Sequence, residues 1–362
     1  MKIRIFTLFL ALTLVLLTFA SCVSEKKPED GTGDDNQKTL TLTNALDLTA
    51  EWDKVTTPGS LVQGCVVVRS DFLAQYPLAV QQFLTEYKAS INYLSANVEE
   101  TAQMIAENGI FAQAAVAQKA IPNCNIVYLD GVEMKTAMQN YLSILHSINP
   151  QSIGGALPAD NFYFNATDFG TTIPTSTVAD LAPTETPSTI RVYSLNGTTG
   201  FGMAKLMNDA KNGTASQNYS FEVKSDASDV TTALINGDVD IAALPTNAAA
   251  NVYNKTQGGV KILAVNTLGC LYLLTNQNAT VTSFADLKGK TVYVPAQNPT
   301  FIFTYLCQQN GLEIGKDVII DSQSYAAAAN LRDAVAAGVV DIAVLPEPMV
   351  TIAMSKVAAA SK

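Results

Sequence analysis

Two stretches of the sequence place polar side chains directly after a buried, proline-terminated apolar run. ALINGDVDIAALP is followed by Thr246 and Asn247, and AVAAGVVDIAVLP, about 101 residues later, is followed by Glu347. Each copy of this internal repeat predicts a helix, a glycine cap, a buried strand and a turn at the strand's carboxyl end. Ligands of open α/β sheets bind outside the carboxyl ends of strands, so both turns are candidate site elements. Two purely structural turns would give the same pattern.

Catalytic and metal-binding side chains are scarce in this chain. His146 is the single histidine among 362 residues, and no two cysteines form a CxxC pair. The sequence therefore predicts no catalytic residue, no metal and no cofactor. The net charge of −10 argues against nucleic acid as a partner, because such binding needs a basic surface. Cys65, Cys124, Cys270 and Cys307 are predicted to be buried free thiols, with a disulfide as the alternative.

The first residues are typical of an export signal. Lys2 and Arg4 precede an apolar stretch that is too short for a comfortable transmembrane span. Cys22 follows Phe-Ala-Ser, which resembles a bacterial lipobox. We predict a signal peptide over 1–22 with lipidation at Cys22, and a disordered tether over 23–42. An ordinary signal peptide with an incidental cysteine is the alternative; the lipoprotein interpretation anchors the protein outside the cytoplasm, at the cell membrane.

The body of the chain changes character at a linker. After Pro77, apolar residues from Val80 to Leu94 recur at helical spacing and predict a long helix. Residues 166–188 are dense in Thr and Pro and predict a linker. From Thr189 onward short strands alternate with helices, which indicates α/β units with parallel strands.

Several segments together resemble the periplasmic solute-binding proteins of ABC importers. TVTSFADLKGKTVYVPAQNPT (280–300), NGDVDIAALP and GVVDIAVLPEP are similar to segments of the group that binds nitrate, sulfonates, taurine or the thiamine pyrimidine precursor. IGGALPADNFYF (153–164) resembles the carboxyl end of that group, and the helix after Phe72 resembles its late helices. The resemblance covers nearly all of the chain from about residue 44 onward.

The order of these segments differs from that of the family. The family's final third comes first here, at 45–164, and its first two thirds come last, from 189 to about 356. This order predicts a circular permutation in which the Thr/Pro linker joins the family's usual termini. It requires Asn44 to lie near Lys356.

The resemblance implies a two-lobed, periplasmic-binding-protein-like (class II) α/β fold with two hinge crossings, at 268–275 and 56–67. Its lobe I would combine residues 61–164 with 189–274, and its lobe II would combine 43–55 with 276–356. The implied function is capture of a small organic ligand between the lobes by a monomer, and delivery to an ABC permease and ATPase.

The implied site lies where helix amino termini meet the cleft, because their free N–H groups suit an anionic or polar ligand. Glu347 would disfavour a doubly charged anion and favour an amine or protonated ring, such as a pyrimidine-like precursor. Trp52 has packing as an alternative to stacking on a ligand, and the loop NGTTGFG has a simple turn as its alternative. The predicted ligand-binding residues are Asn196, Gly197, Thr198, Thr199, Phe201, Ser225, Asp226, Thr246, Asn247, Gln297, Asn298, Thr300, Tyr325, Glu347 and Trp52.

Two other functions stay open at this point. Some relatives of this fold are thiamine-pyrimidine synthases, but they carry a cysteine-rich cluster and a reactive histidine that this sequence lacks. A ligand sensor or adhesin without a transport role would use the same cleft. The sequence favours a binding protein that is not an enzyme.

Overall fold

The computed structural model describes residues 40–165 and 186–361. Among them, no helix combines the length and the apolar character needed to span a bilayer. The strands are β1 (Leu42–Asp47), β2 (Val62–Arg69), β3 (Ile126–Leu129), β4 (Ile190–Leu195), β5 (Tyr219–Lys224), β6 (Ile241–Pro245), β7 (Val260–Leu268), β8 (Leu271–Asn276), β9 (Lys290–Tyr293), β10 (Val318–Asp321) and β11 (Ile342–Pro346). The helices are α1 (Leu48–Val55), α2 (Ser70–Gln75), α3 (Pro77–Ala96), α4 (Val98–Glu107), α5 (Ala114–Ala120), α6 (Gly131–Ile148), α7 (Thr198–Phe201), α8 (Ala204–Lys211), α9 (Ala227–Asn236), α10 (Thr246–Lys255), α11 (Asn298–Gln309), α12 (Ala328–Ala336) and α13 (Met349–Ala360).

The described strands form two sheets. One has the order β3-β7-β2-β6-β4-β5; in it β4 runs parallel to β5 and β6, and β2 runs antiparallel to β6 and β7. The other has the order β1-β8-β11-β9-β10, with β8 antiparallel to both of its neighbours. The strands β6 and β11 are apolar and almost wholly buried, because helices cover the sheets. We call the six-stranded sheet with its helices the first lobe, and the five-stranded sheet with its helices the second lobe.

Within the described residues the chain passes between the lobes twice. One crossing is at 269–270, between β7 and β8, and the other is at 56–61, between α1 and β2. The predicted crossings at 268–275 and 56–67 are therefore present but shorter, because strand pairing in the sheets has already begun on either side. Two α/β lobes joined in this way confirm the predicted fold class.

The two crossings lie against each other. A Cβ at Gly269 would overlap the side chains of Thr49 and Leu61, so a glycine is required where the crossings meet. The Cys270 N–H donates to Gln63 Oε1 over 2.8 Å. This contact ties the crossing at 269–270 to β2, the strand that follows the crossing at 56–61.

The cores follow the predicted periodicity. On α3, Val80, Phe83, Tyr87, Ile91 and Leu94 are buried on one face of the first-lobe sheet, as their helical spacing predicts. The opposite face packs against α6 and α10, and that apolar cluster continues into α1 and α11 of the second lobe. The four cysteines among the described residues are buried and unpaired, which confirms the free-thiol interpretation.

The internal repeat is a structural repeat. Helix α9 leads through Gly237 into β6, and α12 leads through Gly338 into β11. Both glycines have a left-handed backbone, with φ of 80° and 72°. Helices commonly end at a residue in this conformation, and glycine adopts it at the least steric cost. One copy lies in each lobe, and each strand is followed by a helix, α10 or α13.

The first described strand and the last helix share the second lobe. Leu42 of β1 packs against the cluster that contains Val350 and Ala353 of α13. The Leu40 side chain lies 3.3 Å from the position that a Cβ on Gly338 would occupy. The circular permutation requires this neighbourhood and stays a prediction. The predicted signal peptide, Cys22, most of the tether (23–39) and most of the linker (166–185) lie outside the described residues.

Candidate functional site

A pocket of about 500 Å³ opens where the second lobe meets the first. The first lobe contributes the end of α6, the 3-10 turn Pro150–Ile153, the start of α9 and one face of α10. The second lobe contributes Gln297 and Phe301 at the start of α11. We call this the interlobe pocket; its lining is Asn149, Gln151, Ser152, Asp226, Ala227, Ser228, Thr231, Ile235, Asn247, Ala248, Asn251, Val252, Lys255, Gln297 and Phe301.

Amides and hydroxyls dominate the polar part of this lining. Its charged members are Asp226 and Lys255, one of each sign. Asp226 caps α9 by accepting from the Ser228 N–H over 2.8 Å, and this hydrogen bond lowers the pKa of the carboxyl, so that it is ionised at neutral pH. A pocket with one cation and one anion is not built for a doubly charged anion.

One face of α10 supplies a row of polar groups to the pocket. Asn247, Asn251 and Lys255 follow each other at intervals of four residues, so they lie one above the other on the helix. The helix is held in place by Thr246, whose Oγ1 donates to Val62 O over 2.7 Å and which is fully buried. Thr246 therefore positions the row and does not itself reach the pocket.

A pair of side-chain amides connects the lobes beside the pocket. Asn298 Nδ2, on α11, donates to Asn247 Oδ1, on α10, over 2.7 Å. Asn247 Nδ2 faces Ser152 O at 3.4 Å. Asn298 Oδ1 is buried and has no hydrogen-bond partner among the described residues. We call the Asn247–Asn298 contact the amide bridge.

The backbone before α11 is unusual for its residue type. Gln297 has φ 68° and ψ −129°, a region that favours glycine, and it borders the pocket. Pro299 then occupies the first turn of the helix, where a missing N–H costs little. Thr300 Oγ1 donates to Pro295 O over 2.8 Å and closes the loop. These contacts fix Gln297 and Asn298 in a strained but defined geometry.

A second group of predicted residues meets at the crossing, away from the pocket. The Thr198 side chain lies near the Cys270 thiol, and burial raises the pKa of this thiol to about 12. The Glu347 N–H donates to Cys270 O over 2.9 Å. We call Thr198, Cys270 and Glu347 the hinge cluster.

Glu347 is predicted as a ligand contact, but its carboxylate turns toward its own helix. It accepts from Thr351 Oγ1 and Thr351 N, at 2.9 and 3.1 Å, and so caps α13. The Asn123 side chain, from the first lobe, lies near this carboxylate and favours its ionised form. Glu347 is 4% exposed, and this burial raises the pKa of its carboxyl despite those hydrogen bonds.

Other predicted ligand-binding residues pack against neighbouring side chains and do not line the interlobe pocket. Phe201 is fully buried against Phe111, and Tyr325 packs on Tyr293. Trp52 is fully buried, and its Nε1 donates to Ser60 Oγ over 2.9 Å, so the structure shows the packing alternative.

In the loop before α7, the backbone of Gly197 adopts a defined geometry and the backbone of Thr199 makes a hydrogen bond. Gly197 has φ 86° at the start of the helix, and Thr199 O accepts from Asn266 Nδ2 over 3.0 Å. Asn196 and Ser225 are exposed at the ends of β4 and β5, outside the pocket lining. Of the predicted residues, Asp226, Asn247 and Gln297 therefore line the pocket, and Asn298 joins them through the amide bridge.

Several lining residues escaped prediction. Asn251 and Lys255 could have been found, because they continue the spacing that starts at Asn247. Asn149 and Gln151 gave no such signal, since the end of α6 reaches the pocket only through its packing on α10. In residues 40–165 and 186–361 no three His, Cys, Asp or Glu side chains are grouped so as to hold a metal ion.

Residues 203–360 match the family model described as ABC transporter, phosphonate, periplasmic substrate-binding protein. That part of the chain is similar to the substrate-binding proteins of ABC transporters, which confirms the resemblance drawn from the sequence for these residues. No curated protein matches the chain.

Three solved structures are similar over part of their length. An ABC transporter protein from Parabacteroides distasonis is 23% identical, with a TM-score of 0.33, over 47% of this chain and 56% of its own. The aliphatic sulphonate binding protein SsuA from Escherichia coli is 18% identical, with a TM-score of 0.36, over 47% and 58%. The alkanesulfonate-binding protein SsuA from Xanthomonas axonopodis pv. citri, bound to MOPS, is 17% identical, with a TM-score of 0.30, over 45% and 55%. The chain thus spans a little more than half the length of these proteins.

Proposed function

We propose that this protein is an extracytoplasmic solute-binding lipoprotein that captures a small organic ligand in the interlobe pocket and delivers it to an ABC permease and ATPase. The observation that carries the proposal is a pocket lined by both lobes and bordered by the amide bridge. Two short crossings allow the lobes to close on a ligand as hinged bodies. The family match over residues 203–360 supports a transport role.

The ligand we propose is small, polar and not a doubly charged anion. The pocket volume of about 500 Å³ lies within the usual range for small-molecule sites. Its amides and hydroxyls both donate and accept hydrogen bonds, while Lys255 is the one cation in the described lining. The protein is proposed to bind as a monomer and to return its ligand chemically unchanged.

A ligand screen tests this function. The purified protein is examined by thermal shift and native mass spectrometry with amines, amides, pyrimidines, sulfonates and phosphonates. A ligand at 100 times its Kd stabilises the folded state by about 2.7 kcal/mol. This stabilisation raises Tm by a measurable amount. Absence of any shift across all classes, with no co-purified molecule in the native spectrum, contradicts a binding function; turnover of any compound revives the enzyme alternative.

The membrane anchor is tested separately. Cys22→Ser in the full chain should move the protein from the membrane fraction to the soluble extracytoplasmic fraction and abolish incorporation of labelled fatty acid. A variant that stays membrane-bound and labelled would overturn the lipoprotein proposal.

We also propose the circular permutation, with lobe I built from 61–164 and 189–274 and lobe II from 43–55 and 276–356. The packing of Leu42 against the cluster that contains Val350 and Ala353 supports it. A rearranged chain that starts at residue 186, joins residue 361 to residue 40 through a short Gly/Ser linker and ends at residue 165 should fold with an unchanged ligand Kd. Failure of this chain to fold would count against the proposal.

A further inference from the structure

We propose that Asn298 is the specificity-determining residue of the interlobe pocket: its Nδ2 holds the lobes together and its Oδ1 accepts a hydrogen bond from an N–H group of the ligand. This inference rests on the proposed binding function. It assigns the ligand to one chemical class, molecules with an amine, amide or amino-substituted ring.

The first step is the orientation of the two amides. Asn298 Nδ2 lies 2.7 Å from Asn247 Oδ1, and Asn247 Nδ2 faces Ser152 O. Rotating the Asn298 amide alone would set two carbonyl oxygens against each other, and rotating both would set Asn247 Oδ1 against Ser152 O. The chain of contacts therefore directs Asn298 Oδ1 away from the bridge.

The second step is the unpaired acceptor that this orientation creates. Asn298 Oδ1 is buried, and no donor within the described residues reaches it. Amide geometry keeps it within about 5 Å of Asn247 Oδ1, and Asn247 lines the pocket. Buried polar atoms without partners are rare, and one beside a ligand pocket indicates an atom that the ligand pairs.

The third step is the link to closure. Because the acceptor is sealed from solvent when the amide bridge is made, closing the lobes without a ligand leaves it unpaired. Such an atom disfavours the closed form by roughly 5- to 150-fold. A ligand N–H that reaches Oδ1 while the lobes are apart removes this penalty, whereas the unprotonated oxygen of a sulfonate or phosphonate brings a second acceptor and does not.

The test compares matched probes that differ in one N–H group. The pairs are 4-aminopyrimidine with 4-(dimethylamino)pyrimidine, and propionamide with N,N-dimethylpropionamide; methylphosphonate and ethanesulfonate form an anion arm. Titration calorimetry on the wild-type protein should give a Kd for at least one N–H probe that is roughly 5- to 150-fold lower than for its methylated partner.

Variants separate the acceptor from the bridge. Asn298→Ala removes both and should bring the Kd ratio of the two probes close to one. Asn247→Ala removes the bridge and one amide of the pocket lining but keeps Asn298 Oδ1, so both Kd values should rise while their ratio is kept. Asn298→Asp keeps an acceptor oxygen but loses the bridging donor, so both Kd values should rise while their ratio is retained. Circular dichroism melts check that each variant folds.

The outcomes are distinct from those of the proposed function. A Kd ratio that Asn298→Ala leaves unchanged overturns the inference, as does a wild-type ratio near one. Binding of the phosphonate or sulfonate alone also overturns it, while the solute-binding function stands. Binding of no probe overturns the assigned ligand class, and the wider ligand screen then decides the function.

Discussion

Replacing Trp52 by phenylalanine separates the two roles that its residue type allows, packing between the lobes and stacking on a ligand. Trp52, on α1 of the second lobe, is fully buried. Its ring centroid lies 5.8 Å from that of Tyr141 on α6 and 5.1 Å from that of Tyr305 on α11. Its indole N–H donates to Ser60 Oγ over 2.9 Å. The substitution removes this hydrogen bond and leaves a void beside the smaller ring.

The size of the effect follows from these contacts. Loss of a buried neutral hydrogen bond costs about 1 kcal/mol. Truncating a large buried side chain without full collapse of the site costs about 1–2 kcal/mol more for the atoms removed here. We therefore expect the free energy of unfolding to fall by about 2–3 kcal/mol, and Tm to fall by roughly 5 °C.

The assay combines stability with ligand affinity. Denaturant unfolding of Trp52→Phe, followed by circular dichroism, should show the loss of stability, while the Kd of a ligand found in the screen stays within about twofold. Trp52 is the single tryptophan, so wild-type fluorescence reports on this site alone. Its emission should be blue-shifted and poorly quenched by iodide. The matched control is Tyr305→Phe, which keeps the neighbouring ring.

The opposite pattern would refute the packing role. A Kd raised more than about tenfold in Trp52→Phe, with unfolding unchanged, would mean that the indole contacts the ligand. Direct quenching of the wild-type emission by bound ligand would point the same way.

Three further predictions concern the crossing, the hinge cluster and the first-lobe core. Gly269→Ala should destabilise the protein by about 1–3 kcal/mol and weaken ligand binding, because its Cβ overlaps Leu61; a neutral result in denaturant unfolding contradicts the close approach. Burial raises the pKa of Glu347 above its ordinary 4.5, so the folded state holds its proton more tightly and stability should fall as pH rises above about 4.5; Glu347→Gln should flatten this slope in melts across pH, and an unchanged slope rules out Glu347 as its source. Asp240→Asn should cost about 2 kcal/mol, because Asp240 is 4% exposed and pairs with the half-exposed Arg191; equal unfolding free energies would refute this pairing as a source of stability.

Local sequence patterns predicted the elements that carry their own signal. The spacing of Val80, Phe83 and Tyr87 predicted α3, and the repeat predicted that Gly237 and Gly338 would end helices before buried strands. These features depend on backbone geometry and on one buried face, both of which are encoded within a few residues.

The site was harder to predict, because its residues are brought together by contacts between segments that are distant in the sequence. Thr246 follows its strand as predicted, but its hydroxyl is bound by Val62 O, 184 positions earlier in the chain. Glu347 turns from the cleft because its carboxylate accepts hydrogen bonds from the N–H and Oγ1 of Thr351. Asn298 joins the site through its hydrogen bond to Asn247, 51 residues away. No local sequence pattern indicates this pairing.

Hydrogen–deuterium exchange, with and without the tightest ligand from the screen, tests the central claim most directly, since it shows where the ligand stabilises the chain. A ligand held between the lobes should slow exchange in three segments at once: 226–231 at the start of α9, 247–255 on α10 and 297–301 at the start of α11. The first two lie in the first lobe and the third in the second. Protection confined to one lobe, or placed away from all three segments, would contradict binding in the interlobe pocket.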